Sequence, residues 1–163
     1  MGGKVKAIPE GFHTVTPHLV VRGAAQAIEF YQRAFGAKAG RIHYGPDGKS
    51  ITHADLKIGD SILMLSDEFP GMKDLAPPGG SRVTLHLYVE DVDELFNRAV
   101  AAGATVAMPL MDAFWGDRYG QLIDPFGHSW SLATHKQDLS EAEIQKAQEV
   151  FFAELAKQGQ SGH

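Results

Sequence analysis

VTPHLVV, residues 15–21, is answered further along by VTLHLYV, residues 83–89. Each copy sets one histidine, His18 or His86, among apolar and β-branched residues that alternate as in a half-buried strand. An imidazole titrates near neutral pH and so can take or give a proton in catalysis. Two imidazoles with one carboxylate can also hold zinc or iron(II) and leave coordination positions open. Asp55 is the carboxylate to consider. His53 lies two residues before it and shares its strand face.

A second chemical stretch is FWGDRYG, residues 114–120. Trp115 and Tyr119 offer flat apolar area with polar edges, and Arg118 offers a planar fork for a carboxylate or phosphate. Strand alternation places Trp115, Asp117 and Tyr119 on one face and Arg118 on the other, so all four line one pocket only where the strand bulges. Plainer roles stand beside these. A strand histidine is commonly hydrogen-bonded structure, half of such aromatics belong to a core, and Asp117 and Arg118 can simply tie neighbouring strands. DPFG, residues 124–127, reads as a structural turn, with His128 exposed at a strand end after it. His13, His43, His135 and His163 carry no special reading.

The chain has 163 residues, 44% of them hydrophobic and 21% charged, enough apolar content for one well-packed domain or two small joined ones. A net charge of −5 with no basic block argues against nucleic acid. The absence of cysteine excludes disulfides, thiolate zinc sites and cysteine nucleophiles, and fits a reducing compartment. No apolar run suits a secretory signal or a membrane span, so the expected location is cytoplasmic and no membrane partner is expected. GPDG and PPGG are not phosphate loops, and no GxSxG elbow appears.

The elements that must carry these residues repeat. Residues 1–13 read as a loose arm. A first unit, 14–66, runs strand (14–21), helix (GAAQAIEFYQRAFGA), then strands at 38–44, 50–58 and 61–66. Residues 67–81, rich in proline and glycine, are the linker. A second unit, 82–135, repeats the order: strand 82–89, a helix opened by Glu90, Asp91 and Asp93 and closed by Gly103, then strands at 105–109, 114–123 and 129–134. Residues 136–163 form a C-terminal helix and a small polar tail. Ser140 and Glu143 make its capping box, and Ile144, Ala147, Phe151 and Leu155, widened by Val150 and Phe152, make its apolar stripe. A unit of about 55 residues buries a sheet face poorly alone. The expected fold is therefore α+β: two βαβββ modules forming a cup-shaped mixed sheet, helices on the convex side, plus the C-terminal helix.

With both units in hand, the chain resembles the vicinal oxygen chelate superfamily of glyoxalase I, bleomycin-resistance proteins, fosfomycin-resistance enzymes and extradiol dioxygenases, and within it the PhnB-like branch. The residues that carry the likeness are GAAQAIEFYQRAFGA, HADLKIGDSILMLSDE, LHLYVEDVDELFNRAVAAGA and FWGDRYGQLIDPFGHSWSLATH. The likeness covers residues 14–135. The resemblance implies a small-molecule site in the cup and, on analogy, a homodimer. It also implies four metal-ligand positions, which fall here on Thr16, Met64, Thr84 and Ser131. None of these is a histidine or carboxylate, which speaks against the usual metal-dependent glyoxalase I activity. His18 and His86 stand two residues beyond Thr16 and Thr84, hence on the same face, as a pseudo-symmetric pair across the cup.

The functional expectation is lyase or isomerase chemistry at an activated carbonyl, or dioxygenase chemistry of the superfamily's type. His18 and His86 are the expected catalytic residues, and His53, Trp115, Arg118 and Tyr119 the substrate-binding ones. His18, His86 and Asp55 are the candidate ligands of one divalent metal (zinc, iron, nickel or manganese), which would stabilise an enolate; a metal-free site is the other option. The rival is a non-catalytic protein that sequesters a drug or metabolite. A third reading is a scaffold whose C-terminal helix binds a partner.

Overall fold

The computed structural model describes residues 5–69, 76, 80–81 and 83–160. Most of the 67–81 linker, Arg82 at the expected start of a strand, and the ends of the arm and tail lie outside the described residues. Among the described residues no helix is long and apolar enough to cross a membrane.

Two four-stranded sheets carry the fold. The first module contains β1 (His18–Val21), α1 (Ala24–Phe35), β2 (Lys38–Tyr44), β3 (Ile51–Ile58) and β4 (Ser61–Asp67). The second contains β5 (Thr84–Tyr88), α2 (Val92–Ala102), β6 (Thr105–Asp112), β7 (Asp117–Ile123) and β8 (Ser129–His135). Sheet orders are β1-β4-β3-β2 and β5-β8-β7-β6, with the first pair in each parallel and the others antiparallel. The class is α+β, two βαβββ modules with a C-terminal helix, α3 (Glu141–Gln160).

Local chemistry fixes the elements. In α1, Gly36 adopts a left-handed φ of 66° and its N–H caps the carbonyl of Gln32. At the other end of α1, the Asp67 carboxylate accepts from the Gly23 and Ala24 N–H groups at 3.1 and 2.8 Å, and from Ile51 N–H at 2.8 Å. One side chain thus satisfies orphan donors of the helix and pins it to β3 and β4. Asp91 caps α2 through the Glu94 N–H. The expected capping box opens α3: Ser140 N–H donates to Glu143 at 2.8 Å and Glu143 N–H to Ser140 Oγ at 3.2 Å.

Two strands begin later than their patterns suggest. Residues 14–17 do not join β1, which starts at His18. Pro17 has no N–H to donate, so the ladder is closed to it on that side, and only its carbonyl is used, by Met64 N–H at 2.8 Å. Residues 114–116 form a turn before β7, because Gly116 takes a φ of 100°. Pro109 is accommodated within β6 because β6 is an edge strand with a register irregularity there.

Helices cover one face of each sheet. Leu19, Val21, Ala54, Leu56, Leu63 and Leu65 pack with α1, and a Cβ at Gly120 would stand 2.7 Å from Phe96 of α2. The modules meet where α1 packs on α2, where Arg98 of α2 donates to the Arg33 carbonyl at 2.5 Å, and around Asp124. Asp124 is 4% exposed. Its carboxylate accepts from Tyr31 Oη of the first module at 2.5 Å, from Trp130 Nε1 at 2.9 Å, and from the N–H groups of Phe126 and His128 at 2.9 Å each. The DPFG turn is therefore structural, as expected. His128, expected at an exposed strand end, is buried, and its Nε2 lies 3.1 Å from the Val20 carbonyl of the first module. The bond across the modules draws the ring inward.

The C-terminal helix is only partly docked. Phe151 meets Phe114 with ring centroids 5.3 Å apart, whereas Val150, Phe152 and Leu155 are 55%, 56% and 46% exposed.

Candidate functional site: two matching open faces

Alternation that buries Leu19 and Val21 turns His18 to the face of the first sheet that α1 leaves open. In the sheet registers His18 pairs with Met64, and Met64 with Asp55. The second sheet builds the same row: His86 pairs with Ser131, and Ser131 with Gln121. Both rows carry a histidine on the outer strand. His18 Nε2 lies 3.2 Å from Ser66 Oγ, and His86 Nδ1 lies 2.5 Å from Ser131 Oγ. Both serines are buried beneath their rings.

The correspondence continues one step along each sheet. His53 Nε2 bonds Asp55 Oδ1 at 2.7 Å, and in the matching positions Gln121 Nε2 donates to Tyr119 Oη at 2.7 Å. Around the first pair stand Arg41, whose Nε is 3.5 Å from Asp55 Oδ2, and the rings of His18 and His43, 6.3 and 6.0 Å from that of His53. Around the second stand aromatic rings: His86 is 6.1 Å from Tyr119 and 4.4 Å from Tyr88, and Trp115 packs edge-on to Tyr119 at 5.2 Å. The first face is thus rich in imidazole and charge, the second in aromatic area.

Several expected residues fall elsewhere. Arg118 points to the helix side of β7, where Asp93 of α2 holds it at 3.2 Å and Asp112 at 3.4 Å; both carboxylates favour its charged form. Its fork is spent on structure. Trp115 reaches the open face from the turn before β7, with its Nε1 donating to Asp117 at 2.9 Å. Asp117, 3% exposed, also accepts from His135 Nδ1 at 2.8 Å, and His135 Nε2 meets Asp138 at 2.7 Å. Asp138 first and Asp117 second raise the His135 pKa above its ordinary value. That link ties the sheet to the start of the C-terminal extension. Sequence reading passed over His135, Ser66, Gln121 and Arg41. Ser66 and Gln121 become visible only through the cross-strand register, and Arg41 only through the irregular β2–β3 pairing around it.

The trio proposed for a metal does not gather within one chain. His18 and Asp55 lie on the first sheet and His86 on the second, and each histidine already faces a serine. Thr16 spends its hydroxyl on the His13 carbonyl at 2.8 Å. Among the described residues no group of three or more histidine or acidic side chains stands close enough to hold a metal ion. Neutral Thr, Met and Ser are poor donors to a divalent first-row metal, so the donor set within one chain does not fit that group.

Two hollows stand out among the described residues. One of about 690 Å³ runs along β5 at the module junction, lined by Val15, Ile62, His86, Tyr88, Leu95 and Trp130 among others. The other, of about 750 Å³, sits at the start of α1, but Asp67 already takes its N–H groups and Glu68 pairs with Arg22 at 2.8 Å.

Comparison with known proteins agrees with this architecture. The family model for the glyoxalase/bleomycin resistance protein/dioxygenase superfamily matches residues 11–132. The uncharacterized protein Rv0887c of Mycobacterium tuberculosis is 51% identical over 139 residues, 82% of this chain and 81% of its own. Among solved structures, TioX from Micromonospora sp. ML1 is 31% identical with a TM-score of 0.62, covering 76% of this chain and 98% of its own. A PhnB protein from Bacillus cereus shares the fold at 21% identity and a TM-score of 0.61, covering 75% of this chain and 99% of its own. Paired βαβββ modules, the open sheet faces and the match over residues 11–132 place this chain in the glyoxalase/bleomycin resistance protein/dioxygenase superfamily.

Proposed function

We propose that this protein binds a small planar organic molecule between an imidazole-rich face and an aromatic face, and that these faces meet in a homodimer, the first module of one chain opposite the second module of its partner. The observation that carries the reading is the matched pair of rows, His18–Met64–Asp55 and His86–Ser131–Gln121, each with a hydrogen-bonded side-chain pair beside it. Structural need alone does not call for the same polar arrangement twice on uncovered faces. Pairing between chains is favoured because, among the described residues, no strand of one sheet is bonded to a strand of the other, which leaves β1 and β5 as free edges there. Next to those edges Val15, Val83 and Tyr88 are 84%, 66% and 67% exposed.

For chemistry, the reading is proton transfer at an activated carbonyl, of the lyase or isomerase kind, without help from a metal held by one chain. A sequestering protein without turnover is the second reading, favoured by the Trp115–Tyr119–His86–Tyr88 wall. The test combines sedimentation equilibrium with Trp115 fluorescence during titration by a panel of aromatic carboxylic acids and α-hydroxy ketones. A dimer, and saturable quenching that disappears in Trp115→Phe, is the expected result. A monomer at every concentration together with no quenching by any compound overturns the proposal. Product formation from a quenching α-hydroxy ketone separates the enzyme from the binder.

A further inference from the structure

We infer that the proton-transfer base of this site is His53, oriented by Asp55, and that Tyr119 with Gln121 is its non-titrating counterpart for holding the ligand. This inference rests on the reading that the open faces hold a small molecule. His53–Asp55 and Tyr119–Gln121 occupy matching places in the two sheets and are bonded at the same distance, 2.7 Å, yet their chemistry differs. Phenol and amide stay neutral around neutral pH. Imidazole and carboxylate can exchange a proton with a ligand and stabilise the resulting charge.

The partner decides which histidine is the base. His18 and His86 each face a serine hydroxyl, a neutral group that offsets a new positive charge less than a carboxylate does. His53 faces a carboxylate that is 7% exposed, where a charge-assisted hydrogen bond is strong. The Asp55 carboxylate accepts from Nε2–H, which fixes the tautomer and leaves the Nδ1 lone pair free. The His53 side chain is 31% exposed, so a small molecule can reach it. Asp55 itself is steadied by Arg41, and the other titratable rings around His53 are His18 on β1 and His43 on β2.

In the step so defined, Nδ1 of His53 takes the proton from the carbon beside a ligand carbonyl. The C–H electron pair becomes the C=C bond of an enolate, and the carbonyl π pair moves onto oxygen. The imidazolium keeps its Nε2–H on Asp55. In an α-hydroxy ketone the imidazolium returns its proton to the former carbonyl carbon while the α-hydroxyl proton passes to the oxyanion; the α-carbon becomes the new carbonyl, and the isomerisation is complete with no further reactant.

The test needs no ligand. Diethyl pyrocarbonate acylates the free imidazole nitrogen, and peptide mass mapping over time gives a rate for each histidine of the full-length protein. Exposure alone ranks His18, His43 and His86 ahead of half-buried His53. The inference expects the reverse order, His53 fastest. It expects Asp55→Asn to slow His53 by about tenfold, the low end of what a charge-assisted bond supplies. Ser66→Ala, which strips His18 of its partner, should leave the His53 rate unchanged. Slower acylation of His53 than of His18 and His86 in the wild type overturns the inference, as does an unchanged rate in a folded Asp55→Asn. If Asp55→Asn fails to fold, the wild-type order alone decides. Loss of this result with quenching intact would remove the base and leave the binding site; the converse would leave the base and remove the ligand class.

Discussion

Replacing Asp124 with alanine removes one carboxylate and strands four donors at the module junction. Tyr31 Oη and Trp130 Nε1 converge on one of its oxygens at 2.5 and 2.9 Å, and two backbone N–H groups converge on the other. A buried donor left without a partner costs about 1–3 kcal/mol, so the three buried donors at the lower end of that range give a loss of about 3 kcal/mol. Tyr31→Phe removes one bond to a charged acceptor and leaves Asp124 with three donors. Its expected cost is about 2 kcal/mol, within the range for bonds to charged groups. Burial, then Asp124, push the Tyr31 hydroxyl pKa well above its usual value, so it stays a donor through mildly alkaline pH. Because the two groups act on each other, the double variant should be less destabilised than the sum of the singles by about 1.5 kcal/mol or more. Urea unfolding followed in parallel by circular dichroism and tryptophan fluorescence measures all four corners, with Trp130 reporting from the junction itself. A Tyr31→Phe variant within about 0.5 kcal/mol of wild type, or strict additivity in the double variant, would refute the reasoning.

Three further outcomes are expected. Gly120→Ala forces a Cβ to within 2.7 Å of the Phe96 ring and should cost about 1–3 kcal/mol, relieved in part by Phe96→Leu; thermal melts of the three variants check it. Arg118→Met should leave ligand quenching unchanged while lowering Tm slightly, because its guanidinium is engaged by Asp93 and Asp112 away from the open face; a large loss of affinity would return Arg118 to the site. His135 has a pKa raised above its unfolded value, so its contribution is full below the ordinary histidine pKa and is lost as pH rises through the raised value. Hydrogen-exchange protection factors of the Lys136 and Gln137 amides, both bonded to the Gly116 carbonyl, should fall across that window in the wild type and stay flat in His135→Gln.

Much of this molecule was legible in the chain because it is written twice. Period-2 strands, the α1 and α2 stripes and the Ser140–Glu143 box are local signals, and each formed the element it pointed to. Proline chemistry delayed β1 at Pro17, an effect of one missing N–H that alternation alone does not register. His18, His53, Asp55, His86 and Tyr119 could be set on their strand faces from spacing. Their partners could not, because Ser66, Ser131 and Gln121 arrive through pairing of distant strands. His128 looked exposed because a strand end usually is; the bond that buries it comes from Val20, in the other module. Whether His18 and His86 share a centre within one chain or across two is open in the sequence, because module packing through α1, α2 and Asp124 is a long-range outcome that no sequence period encodes.

The most direct test is a fragment titration followed by NMR on uniformly labelled protein, using the aromatic acids and α-hydroxy ketones named above. The account predicts that a single compound shifts resonances of His18 and His53 on the first module and of His86 and Tyr119 on the second, along one binding curve with one Kd. Compounds that shift only one module's face, or only residues of the α1 hollow such as Arg22 and Gln26, would contradict it.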